Sequence, residues 1–247
     1  MRRKIKNLVW NYCPQCWTAA AVRWLGQLRC FSARRRHIGT GSYVDASVQV
    51  IGWDSVRIGA NCLIGEQTWI NVNHRDAEQP ALIIGDNVVI GRRNYFSTGK
   101  QIKIGSFVLT TPNCCFLGSD HVFSSPFVPY LLSGTTSDGI IEVGVNCWLG
   151  TGVTVLAGVK IGFGSVIGAS AVVTKDIPPL SVAIGSPARV VRRFDVRAQD
   201  WVTAAAYPPD GDLQLPTEAD YLVRLKQTHP KIGKPLHASS SRFGDLL

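Results

Sequence analysis

Residues 143–193 read VGVNCWLGTGVTVLAGVKIGFGSVIGASAVVTKDIPPLSVAIGSPARVVRR. Within this stretch Val143, Leu149, Val155, Ile161, Ile167 and Val173 follow one another at intervals of six without a break. A strand has a period of two and a helix a period of 3.6, so neither sustains such a pattern. Six residues suit one short strand plus one turn. Three such units close a triangular coil of about 18 residues, in which each large apolar side chain points inward and stacks on its counterpart one coil away.

The register extends toward the N-terminus through Ile104, Thr110 and Phe116, then Ile84, Ile90 and Phe96, then Ile58, Ile64 and Ile70, with a weaker first set at Ile38, Val44 and Val50. Of the fifteen positions from Ile58 to Val173, fourteen are apolar and nine precede Gly, which is read as permitting the tight corner. The position two before each large residue should also face inward and be small. It holds Val56, Cys62, Thr68, Val88, Cys114, Cys147, Val153, Val159, Ser165 and Ala171. Cys62, Cys114 and Cys147 are therefore read as core residues. Cys13 and Cys16 form a lone CxxC without the second pair that zinc needs, so no metal is expected. The pattern breaks at 72–82, at two extra residues between Ile90 and Ile104, and at 119–140. Insertions into a regular coil are where binding and catalysis usually sit.

The chain of 247 residues is 45% hydrophobic and 17% charged, a globular composition. The longest candidate spanning segment, Cys16 to Leu28, is interrupted by Arg23 and Gln27. Asn11, Pro14 and Gln15 break any signal-peptide run, and a cytoplasmic protein is expected. The formal net charge is +9, and residues 1–36 hold nine Lys or Arg and no acid. The other 211 residues hold seventeen basic and seventeen acidic side chains, so no nucleic-acid footprint covers the body. Three regions follow: a basic, Trp-rich arm at 1–37, the β-helix at 38–193, and an extension at 194–247. In the arm residues 14–31 read as a helix starting at Pro14, and Trp10, Trp17, Trp24 and Phe31 recur at intervals of seven. It reads as a cap on the first coil, or as a peripheral contact with the inner face of an anionic membrane. In the extension Thr217-Glu-Ala-Asp220 reads as a capping box before a short helix.

The stretch 143–193, with the loop before it and the earlier repeats, resembles the hexapeptide-repeat acyltransferases, close to the maltose, galactoside, nodulation-type and colanic-acid-type O-acetyltransferases. The resemblance implies an all-β left-handed parallel β-helix, acetyl-CoA as donor, and a homotrimer with sites between neighbouring columns. It implies that His121 is the general base for a sugar hydroxyl, a role that suits imidazole near neutral pH. It places Trp148, Gly150, Thr151, Gly168 and Ala169 along the pantetheine, Thr174 and Lys175 near the adenosine phosphates, and Arg189 and Arg192 at the 3′-phosphate. Asn71 and Asn73 are implied to hold the acceptor. Asp120 is a candidate to orient the imidazole, and Ser124 stands where many relatives carry Asp. The expected reaction is direct O-acetylation of a sugar or surface-glycan precursor. N-acetylation of an amino or nucleotide-linked sugar, or O-acetylation of an antibiotic, would use the same base and donor. Ping-pong transfer through Cys114 or Cys115, a zinc hydratase on the same fold and a non-catalytic structural β-helix complete the alternatives.

Overall fold

A computed structural model describes residues 36–74, 79–136 and 139–229. The arm helix read from 14–31, Cys13 and Cys16, and the tail from 230 lie outside the described residues. The rest is a left-handed parallel β-helix of short strands in three sheets. The six-residue register becomes three inward columns. Val44, Ile64, Ile90, Thr110, Leu149, Ile167 and Ala183 stack in the first sheet. Val50, Ile70, Phe96, Phe116, Val155 and Val173 stack in the second. Ile58, Ile84, Ile104, Val143 and Ile161 stack in the third. The rings of Phe96 and Phe116 lie 4.6 Å apart and nearly parallel, with neither exposed. The ten small inward positions are buried throughout.

The glycines after the large residues have a different physical reason from the one expected. Gly150 does not adopt a positive φ. A Cβ there would lie 2.6 Å from the Ala169 backbone N, so what demands glycine is the close approach of the next coil. The left-handed corner conformations fall instead on residues such as Asn61, Asn87 and Asn146, and asparagine tolerates them well.

The three interruptions, spread over residues 72–140, share one corner. Each leaves a strand of the second sheet (Trp69–Asn71, Tyr95–Ser97, Cys115–Leu117) and returns in the third (Leu82–Ile84, Gln101–Ile104, Ile140–Val143). Consecutive coils thus stack their insertions above one another.

The strands' outward residues differ by face. The third sheet presents Arg57, Ile83, Lys103, Glu142 and Lys160, with Glu142 bridging Lys103 at 3.3 Å and Lys160 at 3.6 Å. The first sheet presents Tyr43, Leu63, Val89, Leu109, Trp148, Val166 and Val182, an apolar row.

After Ile184 the chain reverses. Strands Arg189–Asp195 and Asp200–Thr203 add antiparallel to the last coil, so the 193 boundary falls inside a strand that is no longer repeat. Arg193 fastens this ribbon: its guanidinium bonds Asp212 at 2.6 Å and Pro179 O at 3.2 Å, under the Tyr207 ring. Helix Glu218–Thr228 is capped by Thr217, whose hydroxyl accepts from Asp220 N. The helix docks on the coils through Glu218 to Val145 N, 2.7 Å, and Tyr221 to Asn146, 2.6 Å.

Candidate functional site

The largest insertion begins at a steric requirement. A Cβ on Gly99 would collide with Gly118 O, and Gly99 also has φ +55°, so only glycine allows these coils to touch here. Gly118 N donates to Ser97 O at 2.8 Å, and the chain then leaves the helix as a ribbon. Thr136 N donates to Asp120 O at 2.7 Å, Val122 N to Gly134 O at 3.1 Å, and His121 bridges Thr135 antiparallel. His121 is exposed on this bonded base. The Asp120 carboxylate accepts from the His121 backbone N at 2.8 Å, so it braces the ribbon and is turned to the amide instead of the imidazole. Beyond the base, no charged residue occurs from Val122 to Ser137, and Phe127, Leu131 and Leu132 are 94%, 88% and 74% exposed.

Asn71 faces outward one rung from Ser97, and Ser97 one rung from Leu117, where the insertion starts. Asn73 Oδ1 accepts from Ser97 Oγ at 3.1 Å. Two inter-strand spacings of about 4.8 Å bring Asn71, Asn73, Ser97 and the root of the His121 ribbon within about 10 Å along one corner. Ser97 had no signal of its own in the sequence. Its outward position follows from Phe96 pointing in, but its bond to Asn73 spans the first interruption, where the period is silent.

The residues assigned to the donor divide among three places. Gly150, Thr151, Gly168 and Ala169 stack on the corner between the first and second sheets, with Ser170 N bonded to Thr151 O at 2.8 Å. That edge continues past Ile184 to its antiparallel partner, the exposed Arg189. Trp148, 49% exposed, lies on the first sheet in one outward row with Val166, Val182 and Arg192. Thr174 and Lys175 are exposed at the other corner, two coils beyond the His121 ribbon. The two corners are separated by one side of the triangle, roughly 15–20 Å at 3.3 Å per residue. The root of the His121 ribbon and the Gly150–Gly168 edge therefore lie on different corners of one chain.

The cysteines near the site are unsuited to attack. Cys114 is fully buried, and burial pushes its thiol up to about 11. Burial also raises the half-buried Cys115. The nucleophile would be the thiolate, which such environments suppress. Among the described residues no group of three or more His, Cys, Asp or Glu side chains converges as metal ligands do.

Coils, columns and corner insertions define a hexapeptide-repeat β-helix. Residues 140–175 match the family described as hexapeptide repeat of succinyl-transferase. A probable acetyltransferase of Mycobacterium tuberculosis is 35% identical over 141 residues, 56% of this chain and 46% of that protein. A putative acetyltransferase of Staphylococcus aureus is 46% identical over 112 residues, 45% of this chain and 55% of that protein. The chain thus spans about half the length of the curated relatives it matches. Among solved structures, AntD, an N-acyltransferase from Bacillus cereus, aligns with TM-score 0.56 and 16% identity over 68% of this chain and 87% of that one. The chain resembles the hexapeptide-repeat acyltransferases in its repeat, its sequence and its fold.

Proposed function

We propose that this protein is an acetyl-CoA-dependent acetyltransferase whose acceptor is a hydroxyl of a sugar or glycan precursor. The observation that carries the reading is the exposed His121, held on a bonded ribbon whose root lies one rung from Ser97 and two from Asn71. The acetyltransferase names of relatives up to 46% identical support the reaction class. In the proposed step the imidazole takes the acceptor hydroxyl proton as the oxygen attacks the thioester carbonyl. The C–S bond breaks, and the CoA thiolate leaves and is protonated by the imidazolium. The small-residue edge Gly150–Ala169 suits the slender pantetheine, and the exposed guanidinium groups of Arg189 and Arg192 suit its phosphates.

The working unit would be a homotrimer. The placement of the His121 ribbon root and the Gly150–Gly168 edge on different corners supports this, because one copy would supply the base and its neighbour the donor edge. The uncharged ribbon tip and the apolar first sheet, with a groove of about 480 Å³ lined by Tyr43, Leu63, Val89 and Leu109, suit burial between copies. The proposed location is the cytoplasm, with the basic arm either capping the first coil or meeting the inner membrane face. Among the described residues no helix is long and apolar enough to cross a membrane.

N-acylation of an amino sugar is the second reading, since AntD was solved with dTDP-4-amino-4,6-dideoxyglucose and coenzyme A. The test is acetyl-CoA consumption by wild type and His121→Ala against sugars, amino sugars, nucleotide sugars and glycan fragments, with CoA affinity measured alongside. Turnover of a hydroxyl acceptor, lost by roughly 10²-fold or more in the variant while CoA still binds, is expected. Turnover confined to amino acceptors selects the second reading. An equally active variant removes His121 from the mechanism, and failure of both proteins to bind CoA leaves a structural β-helix.

A further inference from the structure

His74 is the group at this corner that the proposed reaction leaves unused. It follows Asn73 directly, where the first interruption leaves the second sheet. Asn73 is fixed by its bond to Ser97, and Thr98 N donates to Asn71 O at 3.1 Å, so the backbone up to His74 is tied to the next coil. The imidazole is half-buried, yet its Nε2 is shut from solvent and has no hydrogen-bond partner among the described residues. An unsatisfied buried ring nitrogen costs about 1–3 kcal/mol. Such a cost is tolerated where a ligand supplies the missing bond, as at other functional sites that depart from full satisfaction.

The corner places Asn73, the residue before His74, on Ser97, one rung from the root of the insertion that carries His121. Asn71, Ser97 and Leu117 are successive rungs, and Gly118 N bonds Ser97 O. Two histidines therefore belong to insertions that leave the same corner, His121 exposed on a ribbon and His74 half-buried. The Nε2 proton depends on the tautomer, and a hydroxyl, which both donates and accepts, satisfies either. The neighbouring Asn71 and Asn73 are neutral hydrogen-bonding groups of the kind that fixes a polyhydroxylated ring, and the buried Ser97 holds Asn73 in place.

We propose that His74 is an acceptor-binding residue: its Nε2 pairs with a second hydroxyl of a polyhydroxylated acceptor and holds the reacting one toward His121. This rests on the acetyltransferase reading, and the experiment separates the two. The nitrogen-15 imidazole spectrum of the full chain, assigned with His74→Gln, is followed as maltose or methyl β-galactoside is added at high concentration. A shift of the His74 Nε2 resonance that persists in His121→Ala is expected, and its absence with both sugars overturns the proposal, whether or not acetyl transfer occurs. With whichever acceptor is turned over, His74→Leu should raise KM for that acceptor roughly tenfold, with kcat and CoA affinity little changed. His74→Gln, which keeps a hydrogen-bonding group, should recover most of that loss. A fall in kcat with unchanged KM, or equal defects in the two variants, overturns the assignment, whereas an active His121→Ala overturns only the base.

Discussion

The two long corners that flank the second sheet use the same backbone and differ in everything else. From the first column to the second the inward residues are six apart in every coil, as in Val44 to Val50, Thr110 to Phe116 and Ile167 to Val173. From the second column to the third the interval is irregular: eight from Val50 to Ile58, fourteen from Ile70 to Ile84 and twenty-seven from Phe116 to Val143. In its last two coils, at 150–152 and 168–170, the regular corner is an edge of small residues, able to offer backbone to a slender ligand. The irregular corner carries Asn71, Asn73, His74, Ser97 and His121, able to offer side chains. A repeat makes a surface, and departures from it make a site, because only the extra residues are released from the demands of stacking.

If that division holds, the stack must carry the stability. Phe116→Ala removes a fully buried ring packed on Phe96 and should cost about 3–5 kcal/mol in urea unfolding. A loss under about 1 kcal/mol would mean that the columns are not a continuous core. The ribbon, by contrast, should matter to assembly. Replacing Leu131 and Leu132 by Ser removes apolar side chains worth about 1.5–3 kcal/mol each if buried. Light scattering should then report smaller particles and lower activity with unchanged protomer secondary structure. Wild-type size and activity in the double variant would show that the tip covers nothing.

A third substitution compares the corners directly. A Cβ at Gly150 must push the next coil, so Gly150→Val should cost about 1–3 kcal/mol and weaken CoA binding. On the ribbon, Gly134 has nothing within 4 Å of its added Cβ and only its φ of +80° to strain, so Gly134→Ala should cost about 1 kcal/mol. Equal costs would remove the distinction between packed edge and open insertion.

The same division explains what was legible in the sequence. The large inward residues from Ile58 to Val173 could be named from the period, because stacking repeats the same demand at each rung, whereas the buried Leu82, Ile102 and Ile141 fill positions expected to be small. The stretch 143–173 was the clearest because no insertion disturbs it. His121 was legible through resemblance, since a lone loop histidine carries no periodic signal. The Asn73–Ser97 bond, the amide-facing carboxylate of Asp120 and the orphaned Nε2 of His74 were not legible, because each depends on how residues outside the period are placed across coils. The antiparallel reversal at Arg189 was hidden for a related reason. Its Val190 and Val191 continue the apolar composition of the coils, and only the pairing direction separates them.

That reversal supplies the smallest expected effect. The antiparallel ribbon closes the open end of the last coil and depends on Arg193, whose side chain is 10% exposed against 62% for its partner Asp212. The hydrogen bond from Arg193 holds the Asp212 carboxyl below the usual carboxylate range, despite an opposing contribution from burial. A depressed carboxyl stabilises the fold above its ordinary pKa, and that contribution is lost as pH falls through the lowered value. Asp212→Asn should therefore cost at most about 1 kcal/mol near neutrality, since the carboxylate is largely solvated. The difference in Tm between variant and wild type should shrink toward zero as the pH is taken below the carboxylate range. A difference that stays constant with pH would mean that Asp212 holds Arg193 by shape and not by charge. The end of the β-helix would then be closed by the Tyr207 ring over the guanidinium, with the ion pair contributing little.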